Sequence, residues 1–275
     1  MNILDGKMIA SMLKEEYKNK IQTLEKKPSL AIIHVGDDSA KNIYVRLKCK
    51  VCEDLGIPYT EFSYKDTITK EELFLEIDRL NNNDDYSGII IESPIPKHIN
   101  ILEAFDRIDI KKDVDGLNSL NLGNLAAGHP SYVPATPLGI MKLLKEYKID
   151  IAGKRCVVVG RSNLVGRPMA LSLLNADGTV TICHSKTNNL EEITKTADLL
   201  IVAIGKPNFI KADMVKAGAI VIDVGINRLV ESNKIVGDVD FAEVSKKCDY
   251  ITPVPGGVGP MTIISLVENL IKSVE

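Results

Sequence analysis

Three stretches in the first half of the sequence carry side chains whose types and spacing suit acid–base chemistry. Tyr44 and Lys48 lie four residues apart in a helical pattern, so they share a helix face from which a phenol and an ammonium can contact a heteroaromatic substrate and move its protons. Glu92 ends an apolar strand, where a buried carboxylate is costly unless it is paired. Asp115 lies in the turn-rich stretch Lys-Asp-Val-Asp-Gly at residues 112–116. The alternatives are a solvated helix face for the first pair and ordinary turn chemistry for Asp115.

A fourth stretch, residues 252–261, is too rich in proline and glycine for a regular element. It contains Pro255, Gly256 and Gly257. A rigid loop of exposed backbone can line a cleft between domains, or it can simply join a strand to a helix. This stretch alone does not distinguish the two interpretations.

Residues 156–166, Cys-Val-Val-Val-Gly-Arg-Ser-Asn-Leu-Val-Gly, resemble a dinucleotide-binding turn with altered spacing. An apolar run ends in Gly160, Ser162 takes the place of the second glycine, and Gly166 comes one residue late. The missing side chain at Gly160 lets a phosphate approach the N-terminus of the next helix, and Ser162 can donate its own hydroxyl. Gly166 lets that helix pack closely. A plain tight turn between strand and helix is the alternative.

The end of the next predicted strand indicates which nucleotide this loop binds. NAD-binding units normally place an acid there, which accepts the ribose 2′-hydroxyl. Here the strand Thr-Val-Thr-Ile-Cys runs into His184, Ser185 and Lys186, and Arg161 is brought close from the first loop. Such donors and cations suit a 2′-phosphate. The sequence therefore predicts NADP as the cofactor.

The elements that position these residues alternate between short apolar strands and longer helical patterns, which is typical of parallel sheets covered on both faces. The first series has strands at 29–35, 59–64 and 88–96 and helices at 39–56 and 69–82. Residues 100–136 are predicted to be irregular, and 137–147 a bridging helix. A second series of β-branched strands follows from residue 155, with helices at 165–175, 189–196 and 211–216, and a last helix covers 262–275.

Composition limits the class of partner. The 275 residues include 34 Lys and Arg against 37 Asp and Glu, a formal net charge of −3, so nothing favours nucleic acid. No stretch approaches the roughly 20 apolar residues of a membrane span, and the N-terminus lacks a signal-peptide pattern, which predicts a cytoplasmic protein without membrane partners. Neither a disulfide framework nor a metal site is expected, because the pair Cys49 and Cys52 falls within a helical pattern and the four histidines are scattered.

Taken in order, these stretches resemble the bifunctional methylenetetrahydrofolate dehydrogenase/methenyltetrahydrofolate cyclohydrolase family, and the likeness covers essentially the whole chain. The final motif, Pro-Val-Pro-Gly-Gly-Val-Gly-Pro-Met-Thr, is the most specific. The segments that carry the resemblance are Tyr44-x-x-x-Lys48-x-Lys50, residues 93–96, 112–116, 160–169, 223–227, 236–239 and 253–262.

The resemblance implies a cytoplasmic homodimer in which two α/β domains flank a cleft. The folate-binding catalytic domain would be residues 1–136 plus 262–275, and the Rossmann-type NADP domain residues 137–261. A hydride would pass from the methylene carbon of the folate to NADP⁺, and water would then add to the methenyl carbon to give formyltetrahydrofolate, as in one-carbon metabolism and purine biosynthesis. The folate chemistry implies no metal.

The resemblance also implies residue roles. Tyr44 would stack on the folate, Lys48 would be the general acid/base, and Asp115 would hold the amino and ring N–H groups of the pterin. The implied cofactor contacts are Gly160, Arg161, Ser162, Ser185 and Ile226, and further substrate contacts are Pro255, Gly256 and Gly257.

One position departs from the family, because Glu92 stands where the family usually has Gln. A carboxylate beside Lys48 would favour the protonated lysine and weaken the cyclohydrolase step relative to hydride transfer. Three rival interpretations are an enzyme with the dehydrogenase activity only, a non-catalytic NADP-binding regulator of the same fold, and another two-domain dehydrogenase, such as a shikimate dehydrogenase.

Overall fold

The computed structural model describes residues 1–36, 39–229 and 233–275, and for residues 39–44 it describes the backbone alone. The chain forms two compact units. The three-stranded unit comprises Met12–Ala135 and Ile263–Glu275, and the six-stranded unit comprises Met1–Ser11 and Thr136–Thr262. Residues 1–11, grouped by the sequence with the first domain, thus cluster with the second half of the chain.

Strands and helices alternate along the described chain. The strands are β1 (Asn2–Ile3), β2 (Leu30–Val35), β3 (Tyr59–Tyr64), β4 (Gly88–Ile91), β5 (Arg155–Val159), β6 (Thr179–Cys183), β7 (Leu199–Val202), β8 (Ile220–Asp223), β9 (Asn227–Arg228), β10 (Ile235–Val236) and β11 (Tyr250–Ile251). The helices are α1 (Gly6–Thr23), α2 (Ser39–Leu55), α3 (Lys70–Asn81), α4 (Ile101–Arg107), α5 (Ser119–Ala127), α6 (Ala135–Glu146), α7 (Gly166–Leu174), α8 (Leu190–Thr194), α9 (Phe241–Val244) and α10 (Val258–Lys272), with a 3₁₀ turn at Ala212–Met214. Within the described ranges, no helix is both long and apolar enough to cross a membrane.

The three-stranded unit is built on a parallel sheet in the order β3-β2-β4. Helix α3 shows how local sequence sets an element: Thr69 and Glu72 form a capping box at its start, and Leu73, Ile77 and Leu80 form its buried stripe. That stripe packs in a core with Ile33, Ile89, Ile91 and Phe105. The central position of β2 places the carboxyl ends of β2 and β4 side by side.

The sequence-based prediction that residues 100–136 are irregular was wrong. Two helices, α4 and α5, lie within this segment. Each helix begins at an asparagine whose side chain accepts a backbone N–H, Asn100 from Leu102 and Asn118 from Leu120. The helices are seven and nine residues long. Hydrophobic periodicity over so few turns is weak, so the asparagine caps were the only clear signal of these helices.

The six-stranded unit is a parallel sheet in the order β1-β11-β8-β7-β5-β6. From β5 the chain passes to β6 on one side and then returns to β7 on the other side. The carboxyl ends of β5 and β7 therefore form the switch point at which such sheets bind ligands. Strand β1 explains why residues 1–11 belong here, since Asn2–Ile3 pairs with Tyr250–Ile251.

Cys49 and Cys52 are both buried on α2. Burial raises the pKa of each thiol to about 12, so both stay protonated and unreactive at neutral pH. Among the described residues, no group of three or more His, Cys, Asp or Glu side chains is arranged to hold a metal ion.

Candidate active site and nucleotide site

A buried ion pair joins α2 to the end of β4. Lys48 Nζ donates to Glu92 Oε1 at 2.5 Å, and the two side chains are only 10% and 8% exposed. The N–H of Glu92 donates to the carbonyl of Ile33 at 2.8 Å, which continues the β2–β4 pairing past Ile91. Glu92 therefore lies at the carboxyl end of the sheet, paired as its burial requires.

Asp115 interacts electrostatically with both members of the Lys48–Glu92 pair. Burial raises the pKa of its carboxyl group, the Lys48 ammonium lowers it, and the Glu92 carboxylate raises it. These interactions show that the fold brings Lys48, Glu92 and Asp115 together, although they are far apart in the sequence. Tyr44 belongs to α2, but its side chain lies outside the described part of the structure.

The turn that carries Asp115 is held by a second carboxylate, Asp113, which is 1% exposed. Asp113 accepts hydrogen bonds from the N–H of Leu117 at 3.1 Å, the N–H of Asn118 at 2.8 Å and Asn121 Nδ2 at 2.8 Å. Sequence reasoning did not include Asp113 among the site residues. Its signal was the presence of two aspartates in the 112–116 motif, of which Asp113 is the first, because a buried acid implies several donors around it.

Asp113 makes the stability of the protein depend on pH. Burial raises its pKa to about 7, whereas an unfolded aspartate has a pKa of about 3.9. Between these values the native state holds a proton that the unfolded state has lost. The stability contributed by this group is therefore complete below about pH 4 and is lost as the pH rises through about 7, at about 1.4 kcal/mol per pH unit.

Asp113→Asn removes this titration, so the melting temperature of the wild type relative to the variant is expected to fall between pH 5 and pH 8. Thermal melting followed by circular dichroism measures the difference, and other titrating groups cancel in it. Asp109→Asn, at an exposed aspartate in the same segment, is the control and should follow the wild type at every pH. Parallel curves for the wild type and Asp113→Asn would contradict the assignment.

The loop after β5 requires glycine at both predicted positions. Gly160 has φ 133°, and a Cβ atom there would lie 2.3 Å from the carbonyl oxygen of Ala203. A Cβ atom at Gly166 would lie 2.2 Å from the carbonyl oxygen of Gly160. The loop and the start of α7 thus approach each other at the distance of bare backbone, as the sequence predicted for Gly166.

The first N–H groups at the start of α7 already have acceptors within the protein. Ser162 Oγ accepts from the N–H groups of Val165 at 3.1 Å and Gly166 at 3.4 Å. Arg167 N–H donates to the carbonyl of Ser162 at 3.0 Å, and Pro168 has no N–H. Ser162 keeps its own hydroxyl proton, so its hydroxyl can still donate to a phosphate.

The register of β5 and β6 brings the predicted 2′-phosphate residues to one edge. Val159 pairs with Cys183, and the N–H of Gly160 donates to the carbonyl of Cys183 at 2.9 Å. Arg161 and Ser185 therefore each lie two residues beyond paired positions on neighbouring strands, and both are exposed.

Beyond β6 the chain turns at residues 184–187 through bonds of its own. His184 N–H donates to Thr187 Oγ1 at 2.8 Å, Thr187 N–H donates to the His184 carbonyl at 2.9 Å, and Lys186 N–H donates to His184 Nδ1 at 3.1 Å. The turn is thus fixed by His184 and Thr187, while the side chains of Ser185 and Lys186 are exposed. A hydroxyl and an ammonium without an acid fit a phosphate group.

The remaining predicted site residues also belong to the six-stranded unit. Ile226 follows β8 and is 48% exposed. In the Pro-rich loop, the N–H of Gly257 donates to the carbonyl of Pro253, and the carbonyl of Gly256 accepts from the N–H of Lys7, each at 2.9 Å. The segment with Pro255 is thus fixed by backbone bonds to itself and to the start of α1.

A parallel sheet with a glycine-dependent loop at its switch point, together with a second α/β unit that holds a buried lysine–carboxylate pair, defines a two-domain nucleotide-dependent enzyme. The family model for the NAD(P)-binding domain of tetrahydrofolate dehydrogenase/cyclohydrolase matches residues 134–275, and the model for its catalytic domain matches residues 4–115. The chain belongs to the tetrahydrofolate dehydrogenase/cyclohydrolase family.

Individual relatives agree with this membership. The bifunctional protein FolD of Campylobacter hominis is 54% identical over 99% of this chain and 97% of its own length. The crystal structure of the bifunctional FolD of Campylobacter jejuni matches with a TM-score of 0.97 and 52% identity, over 100% of this chain and 98% of that one. The FolD of Trypanosoma brucei, complexed with NADP cofactor and inhibitor, matches with a TM-score of 0.95 and 34% identity, over 99% of this chain and 97% of that one.

The comparisons confirm the predicted enzyme class and its two activities, a dehydrogenase and a cyclohydrolase. A shikimate dehydrogenase in complex with NADP⁺ shares 14% identity at a TM-score of 0.53, over 90% of this chain and 94% of that one, which is a likeness of fold alone. Neither that class of dehydrogenase nor a non-catalytic regulator is favoured.

Proposed function

We propose that the enzyme oxidises methylenetetrahydrofolate with NADP⁺ and then hydrolyses the methenyl product, with Lys48 as the group that manages protons. The observation that carries this proposal is the buried Lys48–Glu92 pair beside Asp115. NADP⁺ supplies a hydride acceptor for the methylene carbon. Water then adds to the resulting methenyl carbon and loses a proton, and the ring carbon–nitrogen bond breaks to give formyltetrahydrofolate. A lysine amine near that carbon can take the proton from water and return it to the leaving nitrogen.

The other predicted residues are assigned in this proposal to binding the folate and binding the cofactor. Asp115 accepts the amino and ring N–H groups of the pterin, which a carboxylate suits. Tyr44 stacks on the folate, and Pro255, Gly256 and Gly257 supply further substrate contacts. For the cofactor, Gly160 and Ser162 form the loop, Arg161 and Ser185 hold the 2′-phosphate, and Ile226 offers its backbone. The exposed donors after β6 and the NADP-bound relative support NADP over NAD.

Glu92 sets the balance between the two activities. Its carboxylate lies 2.5 Å from Lys48 Nζ in a site that is largely shielded from water. An opposite charge at this distance stabilises the ammonium form of a lysine, and a lysine held as ammonium is a poor base. Hydride transfer depends mainly on how the folate and nicotinamide rings are placed. We therefore propose a competent dehydrogenase with a weaker cyclohydrolase.

Glu92→Gln is expected to raise the ratio of cyclohydrolase to dehydrogenase rate by about threefold to tenfold, since one pKa unit changes the proton equilibrium of an amine tenfold. Both rates are read from the absorbance of methenyltetrahydrofolate, with NADP⁺ for its formation and without NADP⁺ for its hydrolysis. Glu103→Gln, which changes an exposed Lys–Glu pair with Lys70 in the same unit, should leave the ratio unchanged. An unchanged or lower ratio in Glu92→Gln would refute the role of Glu92.

We further propose a cytoplasmic homodimer whose formyl product serves purine biosynthesis. The folate-binding domain would be residues 1–136 plus 262–275 and the NADP domain residues 137–261. These proposals rest on the family resemblance.

A further inference from the structure

The cofactor crevice of the six-stranded unit has two walls at the switch point between β5 and β7. The first wall is the loop of Gly160, Arg161 and Ser162. The second is the backbone that follows β7, residues 203–206. The walls approach at backbone distance, since a Cβ atom on Gly160 would lie 2.3 Å from the carbonyl oxygen of Ala203. Any nucleotide bound by the first wall therefore lies beside the second.

A fully buried carboxylate, Asp238, holds the second wall. Asp238 Oδ2 accepts the N–H groups of Ile204 at 2.7 Å and Gly205 at 2.9 Å, and Oδ1 accepts the N–H of Lys206 at 2.7 Å. Three successive N–H groups turned toward one anion form a concave site of the kind that binds phosphates. Here the protein's own carboxylate occupies that site, so the wall is formed before any ligand arrives.

The same carboxylate also holds the segment after β8. Asn227 Nδ2 donates to Asp238 Oδ1 at 2.9 Å, and Asn227 is the neighbour of Ile226. Asp238 is held in turn by Asp223 at the end of β8, whose Oδ1 accepts the N–H of Asp238 and whose Oδ2 accepts the N–H of Val239, each at 2.9 Å. Asp238 thus connects the loops that follow two adjacent strands of the sheet.

We infer that Asp238 is a positioning residue of the dehydrogenase, which holds the wall of the crevice against the nicotinamide half of the cofactor. The inference rests on the proposed placement of the 2′-phosphate at Arg161 and Ser185. With that end of the dinucleotide beyond β6, its other end extends across β5 toward β7 and β8, where Asp238 acts. Asp238 itself is fully buried and acts through the backbone it holds.

Asp238→Asn tests the inference, because an amide has one acceptor oxygen and its NH₂ group would face N–H donors. The loss of charge-assisted bonds should raise the KM for NADP⁺ about tenfold or more. The KM for NAD⁺ should rise by the same factor, because the 2′-phosphate is untouched. Hydrolysis of methenyltetrahydrofolate without nucleotide should stay within about twofold, which shows that the variant is folded. Asp240→Asn, at a partly exposed carboxylate paired with Lys211 at 2.9 Å, should change none of these values.

Asn227→Ala is a milder second variant, because it removes one bond to Asp238 and leaves the three N–H donors in place. It should raise both KM values by a smaller factor. Unchanged KM values in an Asp238→Asn enzyme that still hydrolyses its substrate would overturn the inference. So would loss of both activities in both variants, since that outcome assigns Asp238 to folding alone. A change in the NADP⁺/NAD⁺ preference in Asp238→Asn would also contradict it, whereas an unchanged preference in Arg161→Ala would contradict only the proposed 2′-phosphate site.

Discussion

Lys48→Met is expected to lower the cyclohydrolase rate at least a hundredfold, because a positioned acid–base group contributes about 10²- to 10⁴-fold. Methionine keeps most of the length of the lysine stem and removes the amine. The dehydrogenase rate should fall much less, since hydride transfer depends on the placement of the two rings. The decay of methenyltetrahydrofolate absorbance without nucleotide measures the first rate, and its formation with NADP⁺ measures the second.

Two further variants make this result interpretable. Lys48→Met removes the ammonium from the buried Glu92, and an uncompensated buried charge costs about 3–5 kcal/mol of stability. The double variant Lys48→Met/Glu92→Gln removes the charge as well, so it separates loss of the base from loss of folding. Lys50→Met, at an exposed lysine on the same helix, should keep both rates. Cyclohydrolase turnover within tenfold of wild type in both Lys48 variants would exclude Lys48 as the acid–base group.

Arg161→Ala should weaken NADP⁺ binding about tenfold to a hundredfold, which corresponds to losing about 1.5–3 kcal/mol of charge-assisted hydrogen bonding to the 2′-phosphate. Binding of NAD⁺ should change little, because NAD⁺ lacks that phosphate. The enzyme's preference between the two nucleotides should therefore shift toward NAD⁺. Dehydrogenase assays over a range of each nucleotide measure the preference as the ratio of the two kcat/KM values.

Arg155→Ala provides the matched control, since Arg155 is an exposed arginine at the opposite, amino end of the same strand, β5. It should leave both nucleotides unaffected. A wild-type enzyme that prefers NAD⁺, or an Arg161→Ala enzyme with an unchanged preference, would show that the 2′-phosphate is bound elsewhere. The effect should also shrink at high salt if Arg161 acts through its charge.

The α/β class and most of its elements follow from local sequence. Strand β3 was predicted with the bounds that the structure shows. A short run of β-forming residues that is flanked by polar or turn-forming residues marks both ends of a strand. Helix α3 was predicted within one residue at each end, because its capping box and its buried stripe are both local signals. The need for glycine at Gly166 was also readable, since the strand-to-helix turn itself brings that position close to the carbonyl of Gly160. The close approach of Gly160 to Ala203 depends instead on the pairing of β5 with β7.

Long-range pairing was not readable from the sequence. Burial of Glu92 at a strand end predicts that it needs a partner, but the identity of that partner as Lys48 depends on how α2 packs beside β4. Strand β1 was missed for the same reason, because two residues form a strand only where β11 offers them an edge.

The hydrogen-bond donors at the nucleotide loop show what local sequence determines and what depends on the tertiary structure. The sequence by itself determined that a glycine-dependent loop lies at the end of β5 and that no acid ends the next strand. It also placed a lysine on a helix face, one carboxylate at a strand end and another in a turn. Only the tertiary structure decided that Ser162 uses the first N–H groups of α7 and that Asp238 occupies the N–H groups after β7. The physical reason is that a polar group's hydrogen-bond partner is set by three-dimensional proximity, which residue type and local spacing do not specify.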